Sequence, residues 1–266
     1  AQGSKCSIGD QLHPRGRLDE STYDIVGEAY ADVAAKEPWC EDAVSAANVA
    51  IVSNAAVHAS QGRRGEESAA EVGAARLLLE SQIHFDRLDT GMAFDGYDVL
   101  ILADDIRLDA ALATRLQTFL DDGGKLILSG TSGLQADADR FVLDIGADYA
   151  GASPFEPDYV LPAEPYAPAF VRTPFVMYLR SQRITATGGE SLGQVVDPYF
   201  NRTWEHYCSH QHTPYRETAS GYDSGTMTDR VLYFAHPVFA LYRAYGTVAL
   251  KQYVMRAVNA FLGYAR

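Results

Sequence analysis

The residues with the most chemistry per unit length lie between Pro198 and Pro214, where Tyr199, Phe200, Asn201, Arg202, Trp204, Glu205, His206, Tyr207, Cys208, His210 and His212 follow one another. Three of the seven histidines fall within that run. On an extended chain His206, Cys208, His210 and His212 share a face, which is the look of a ligand array. Distance argues against one metal ion. Six residues of strand span about 20 Å, whereas every ligand must sit about 2 Å from the ion. The pattern is better suited to a polar and aromatic surface. Trp204 and the tyrosines can stack on the apolar face of a sugar while Asn201, Arg202, His206, His210 and His212 bind hydroxyls, and the same residue types also suit a subunit interface.

Other candidates are sparser. Gly130-Thr131-Ser132-Gly133 comes after an apolar run, at the position where α/β enzymes place a nucleophile, and His236 ends a later apolar run as its natural base. The nucleophile elbow wants Gly-x-Ser-x-Gly. Here the second glycine comes one residue early, and Val238 rather than an acid succeeds Pro237. Asp104 and Asp105 are adjacent, so on a strand they point to opposite faces; they read as solvated loop residues or as caps for the next helix. Near the start, Asp10 and His13 are the polar members of a loop, Ser7 to Pro14, that can carry substrate contacts.

Several elements must position these groups. Asp19 or Ser21 can cap a helix carrying Tyr23, Val26, Tyr30 and Val33 at spacings of three and four, with Pro38 as its stop. Asn48 to Ser53 has the short apolar character of a strand buried on both faces. A helix over Glu66 to Gln82, strands near Phe85 to Leu88 and Tyr97 to Ala103, a helix through Leu108 to Phe119 capped by Asp109, and a strand at Lys125 to Ser129 continue the alternation. Such a β-α-β-β-α-β order predicts an α/β fold, a doubly wound and largely parallel sheet with helices on both faces. Residues 135–230 break the rhythm with clustered prolines and short β-like runs at Val171 to Tyr178, Ile184 to Thr187 and Leu192 to Val196, an irregular insertion. Arg230 to His236 restores a buried strand, and Leu250, Val254, Val258 and Phe261 mark a closing helix.

Composition narrows the partners. The 266 residues carry 22 Lys and Arg against 35 Asp and Glu, a net charge of -13, and 47% hydrophobic residues. That content excludes a disordered chain, and the negative field disfavours nucleic acid and anionic membranes. Three widely spaced cysteines, Cys6, Cys40 and Cys208, form no Cys-x-x-Cys pair and suit a reducing, cytoplasmic setting. No apolar run is long enough to span a membrane. No motif calls for a metal or a cofactor.

Two segments resemble a known family. Gly9 to Pro14, then Leu18-Asp19 and a helix ending at Glu37-Pro38-Trp39, look like the last strand, loop and helix of a glycoside-hydrolase TIM barrel. The rest of the chain is similar to the β-galactosidase trimerisation domain, a flavodoxin-like sheet related to class I glutamine amidotransferases. Tyr97 to Leu102, Leu116 to Leu120, Asp122 to Ile127 and Gly130 to Gly133 carry that likeness. The resemblance implies a fragment of a fucosidase-like or galactosidase-like enzyme, with residues 1–47 a barrel remnant and linker and residues 48–266 a trimerisation-like domain. It implies a homotrimer, a carbohydrate substrate for the full enzyme, and catalytic carboxylates on earlier strands, so the isolated chain is expected to be inactive. Ser132 stands where amidotransferases carry cysteine, which speaks against their activity. An autonomous hydrolase or amidotransferase-like enzyme using Ser132 and His236 is the competing expectation. On the first, Asp10, His13, Arg202, Trp204, His206, His210 and His212 contribute sugar contacts, in the chain's own pocket or in a neighbouring subunit's.

Overall fold

The computed structural model describes residues 6–60, 62 and 68–263. The chain divides into two compact units, the first ending at Ala46. That first unit is a loop and then one helix, α1 (Glu20–Cys40), which Asp19 caps by accepting a hydrogen bond from the Thr22 amide at 2.8 Å. Pro38 does not stop it. The helix continues two residues further to Cys40, where the Glu41 amide still reaches the Glu37 carbonyl. A proline removes only its own N–H bond, and so close to the terminus little of the ladder depends on it. None of the residues in α1 is buried, and its stripe exposes Tyr23, Tyr30 and Val33.

The second unit is built on a seven-stranded sheet. In chain order its elements are β1 (Val49–Val52), α2 (Asn54–Ser60), α3 (Ala69–Glu80), β2 (Asp86–Leu88), β3 (Val99–Leu102), α4 (Ala110–Asp121) and β4 (Lys125–Ser129). Next come β5 (Ala147–Ala152), β6 (Asp158–Pro162), β7 (Phe175–Met177), β8 (Gln182–Ala186), β9 (Glu190–Ser191), β10 (Gly193–Val196) and β11 (Gly225–Met227). The chain closes with β12 (Val231–Phe234), α5 (Val238–Tyr245) and α6 (Val248–Leu262). The central order is β2-β1-β3-β4-β12-β11-β9. The first five strands pair in parallel, while β11 and β9 add antiparallel edges.

The central strands β1, β3 and β12 are buried on both faces because they are apolar at every position. Val49, Ile51, Val99, Ile101, Leu232 and Phe234 meet α3, α5 and α6 on one side. Ala50, Val52, Leu100, Leu102, Leu126 and Leu128 meet Val57 of α2 and Leu112, Leu116 and Phe119 of α4 on the other. Asp109 caps α4 through the Leu112 amide, as its spacing predicts. The helix expected from Glu66 begins, among the described residues, behind Ser68, whose side chain accepts from the Glu71 amide.

The region expected as an irregular insertion has more order than its prolines suggest. It supplies β9 and β11 to the central sheet, a three-stranded antiparallel sheet β10-β6-β7, and the pair β5-β8. The runs expected at Val171 to Tyr178, Ile184 to Thr187 and Leu192 to Val196 fall on β7, β8 and β10, while β5, which alternates partly buried with exposed positions, has no apolar run to announce it.

Helices α3 and α5 touch through their backbones. A methyl group on Gly73 would lie 1.9 Å from the Phe239 carbonyl oxygen, which no side-chain movement relieves. Gly73→Ala gains up to about 1 kcal/mol of helix propensity and loses more to overpacking, about 1–3 kcal/mol. The expected outcome is a net loss of stability, read as a lower denaturant midpoint with an unchanged slope.

Candidate functional site

Sheets of this kind gather ligands outside the carboxyl ends of their strands, where strand order reverses. Here the reversal falls between β1 and β3, since the chain passes from β1 to β2 on one side and then to β3 on the other. The neighbouring carboxyl edge is already filled by the chain itself. Asp104 leaves β3 in a left-handed conformation, φ 57°, and is 4% exposed. Its carboxylate accepts from Ser129 Oγ at 2.6 Å, from the Ala240 amide at 2.6 Å and from the Phe239 amide at 3.3 Å. Those two amides open α5, whose own N-cap residue, Pro237, offers no side-chain bond. A carboxylate thus occupies the place at a helix N-terminus that suits a bound anion.

The expectation that Asp104 is a solvated loop residue or a cap for the next helix is therefore corrected. The left-handed turn sends its side chain inward, and it caps α5 instead. Asp105 remains partly exposed, with His58 Nε2 3.2 Å away and Asn54 Nδ2 at 2.5 Å. Across the reversal, Glu71 accepts from Ser53 Oγ at 3.2 Å and pairs with Arg87.

Ser132 and His236 do not form a catalytic pair. Ser132 is fully buried, and its Oγ accepts the Ile106 amide at 3.0 Å, so it serves the turn. His236 Nε2 pairs with Asp158 Oδ1, while Asp158 Oδ2 accepts Ser181 Oγ at 2.5 Å. The other ring nitrogen, Nδ1, is buried without a partner, so neither nitrogen takes a proton from Ser132. The competing hydrolase expectation fails on this geometry, because a base must lie within hydrogen-bond reach of its nucleophile.

The segment from Pro198 to Pro214 is a loop closed at its base by the Pro198 and Tyr215 bridge and by the Tyr199 amide bonding to the Pro214 carbonyl at 3.1 Å. Asn201 fastens one side, donating to the Pro154 carbonyl at 2.7 Å and accepting the Glu156 amide at 3.0 Å. Arg202 Nη1 bonds across the loop to the Gln211 carbonyl at 2.5 Å. Trp204 is 83% exposed, and Arg202, His206 and His210 are exposed beside it. The His206 ring stacks on Phe200 with 3.8 Å between centroids. Cys208 Sγ donates to the His210 and His212 carbonyls at 3.7 and 3.5 Å, so the thiol serves loop structure. Among the described residues no three His, Cys, Asp or Glu side chains converge as a metal site would require.

His212 turns the other way. Its ring meets the edges of Tyr159 and Tyr178, with centroids 6.1 and 5.8 Å apart, and its Nδ1 is buried without a partner. The Tyr159 hydroxyl donates to the Thr213 carbonyl at 2.5 Å. Burial, with the nearby Tyr178, pushes that phenol up to about 12, so it stays a donor at any physiological pH. In the first unit, Asp10 accepts the Gln11 amide at 2.8 Å and His13 Nδ1 accepts the Arg15 amide at 3.2 Å, both at exposed positions.

No family model and no curated protein matches the chain. Solved structures do. An α-L-fucosidase isoenzyme 2 from Paenibacillus thiaminolyticus is 40% identical, with a TM-score of 0.90 over 98% of this chain and 40% of that one. The chain is related to glycoside hydrolases. It spans well under half of that relative's length. A β-galactosidase from Rahnella sp. R3 aligns at 17% identity, with a TM-score of 0.63 over 96% of this chain and 37% of its own. A ThuA-like protein from Bacteroides uniformis aligns at 10% identity and a TM-score of 0.50 over 82% of this chain and 94% of its own. The last two show the fold alone.

The Asp104 carboxyl has a sharp pH consequence. Burial raises it from an ordinary 3.8 to about 7, against the opposing hydrogen bonds from Ser129, Ala240 and Phe239. A folded carboxyl that holds its proton to higher pH than the unfolded one contributes stability that is full below about pH 4 and lost as pH rises through about 7. Wild type and Asp104→Asn should accordingly differ most at low pH. Denaturant unfolding at about pH 5 and about pH 8 is expected to show the wild-type advantage shrinking by on the order of 1.4 kcal/mol per unit within that window.

Proposed function

We propose that the chain is an assembly and accessory part of a fucosidase-type glycoside hydrolase, and that it contains no complete catalytic machinery of its own. The observation that carries this reading is the 40% identity extending over 98% of the chain but only 40% of the fucosidase chain. The filled carboxyl edge supports it, since Asp104 and Ser132 are both engaged internally. In this reading the second unit is a flavodoxin-like, doubly wound domain of the trimerisation type, residues 1–47 complete a barrel, and copies associate as a homotrimer.

The loop from Pro198 to Pro214 supplies sugar contacts in this reading. Trp204 offers an aromatic plane for the apolar face of a deoxy sugar such as α-L-fucose, and Arg202, His206 and His210 offer hydrogen bonds to its hydroxyls. His212 holds the loop in place behind them. Asp10 and His13, in the first unit taken by itself, are proposed as contacts to sugar.

Two measurements test the reading. Light scattering after size exclusion, across a range of concentrations, is expected to give three times the monomer mass; a stable monomer would count against the trimer. Fucose titration with saturation-transfer NMR as the readout is expected to show contacts to Trp204, and Trp204→Ala should weaken binding about fivefold, the scale of about 1 kcal/mol for one aromatic partner. Its melting temperature should not move, because Trp204 is exposed. Unchanged binding in Trp204→Ala would remove the loop from the site.

A further inference from the structure

Asp104 fills the carboxyl edge over β3, β4 and the start of α5, but the reversal between β1 and β3 is lined by other residues. Asn54 follows β1 and is fully buried. Its Nδ2 donates to the Ala103 carbonyl at 2.6 Å and to Asp105 Oδ1 at 2.5 Å. The amide cannot be turned over, since both groups facing the nitrogen are acceptors. Its Oδ1 is left buried with no hydrogen-bond partner. An enclosed amide oxygen without a donor is costly, so it calls for an O–H or N–H that the chain does not provide.

Asp105 carries the same demand to the surface. Asn54 donates to its Oδ1 and His58 Nε2 lies 3.2 Å from its Oδ2, which holds the carboxylate between two side chains. Each oxygen retains a lone pair. The Asp105 side chain is 42% exposed and that of His58 13%, so the carboxylate is oriented and still open to a ligand.

The surroundings decide what that ligand is. An anion such as phosphate suits many crevices of this kind, but here it would face a carboxylate. The early amides of α2 are taken: that of Ala55 reaches Glu71 Oε2 at 3.4 Å and that of Ala56 reaches Ser53 Oγ at 3.2 Å. Arg87, the cation beside them, pairs with Glu71 and donates to Ser53 Oγ at 2.9 Å. Among the described residues no third His, Cys, Asp or Glu joins His58 and Asp105, as a metal ion would require. What stays unused is a pair of acceptors, a carboxylate and an amide oxygen, linked through one hydrogen bond. An ammonium group could reach the enclosed Oδ1 only by burying its charge. A hydroxyl can reach it directly or through one bridging water. Two adjacent acceptors match two adjacent O–H donors, which neighbouring hydroxyls on a sugar ring present.

We propose that the reversal between β1 and β3 is a carbohydrate site separate from the aromatic loop, in which Asp105 and Asn54 Oδ1 accept the O–H groups of two neighbouring hydroxyls of a neutral sugar. His58 positions the Asp105 carboxylate. The site stands on this geometry and does not depend on the sugar contacts proposed for the loop.

The test uses the whole chain, isotopically labelled for NMR, with D-galactose as the probe. Its permethylated form, which keeps the ring and has no O–H to donate, is the control. Galactose is expected to shift the Asn54 side-chain amide and the backbone amides of His58 and Asp105 saturably, and the permethylated sugar to leave them in place. Asp105→Asn keeps the shape and removes the charged acceptor, so affinity should fall about tenfold, the scale of one hydrogen bond to a charged group. Trp204→Ala, which removes the loop's aromatic plane, should leave the Asn54 response as it was. A response that is absent or does not saturate, an equal response to the permethylated sugar, an unaltered affinity in Asp105→Asn, or loss of the Asn54 response in Trp204→Ala overturns the proposal. Should Asp105→Asn fold poorly, the wild type decides: nuclear Overhauser contacts must join the sugar ring protons to the Asn54 or His58 side chain, and their absence sinks the site. The two sugar readings fail separately. A saturable Asn54 response without any contact to Trp204 supports this site and counts against the loop.

Discussion

A carboxylate withdrawn from water at the carboxyl edge of the sheet organises much of what surrounds it. Asp104 joins the end of β3 to Ser129 at the end of β4 and to the first amides of α5. The same residue's carbonyl receives the Thr131 amide at 2.6 Å, so the turn after β4 is shaped around it as well. This closeness demands glycine at position 130: with φ 56° and the Asp104 carbonyl 2.6 Å from where a methyl group would sit, no other residue fits. One buried acid therefore sets the turn, the start of the helix and the closure of the crevice. Helix α5 in turn must approach α3 closely enough that only glycine fits at position 73.

The extra strands stand in a similar relation to Asp158. The small sheet β10-β6-β7 meets the central sheet through the buried hydrogen-bonded contacts of Asp158 with His236 and Ser181, a junction whose loss would leave a buried polar group uncompensated. Arg183 repeats the device nearby, pairing with Asp197 at the foot of the aromatic loop while its guanidinium lies over the Tyr222 ring. These polar contacts add to an apolar layer that the small sheet shares with the central one through Val160 and Met177, and to the packing of Tyr159 on Tyr215 at the loop's base. The loop presents Trp204 to water while its base rests on these contacts.

Sequence reasoning reached the parts governed by local pattern. The strands β1, β3, β4 and β12 are apolar runs buried on both faces, and Asp109 signals the start of α4 by position alone. It missed α5, which begins directly after His236-Pro237 and whose N-terminus is capped from 135 residues away. It missed β5 and β6 because their partly polar, proline-flanked stretches carry no periodicity of their own. In the aromatic loop, composition drew attention to the segment but not to the directions its side chains take. The inward turn of His212 depends on Tyr159 and Tyr178, which lie far upstream, and the Asp158 to His236 pair spans 78 residues. Distant pairing of this kind leaves no trace in spacing.

The two ends of the central sheet bear on how copies of the molecule can meet. At one edge lies β2, only three residues long and carrying Asp86 and Arg87; at the other lies β9, two residues long and carrying Glu190. Short, charged margins are poor templates for a further strand, because an incoming chain gains few main-chain bonds and must desolvate charge. The sheet is thereby protected against growing across molecular boundaries. Association between such molecules is left to side chains on helices and loops, where geometry limits the number of partners, and the open-ended stacking that exposed β-edges invite is blunted at its source.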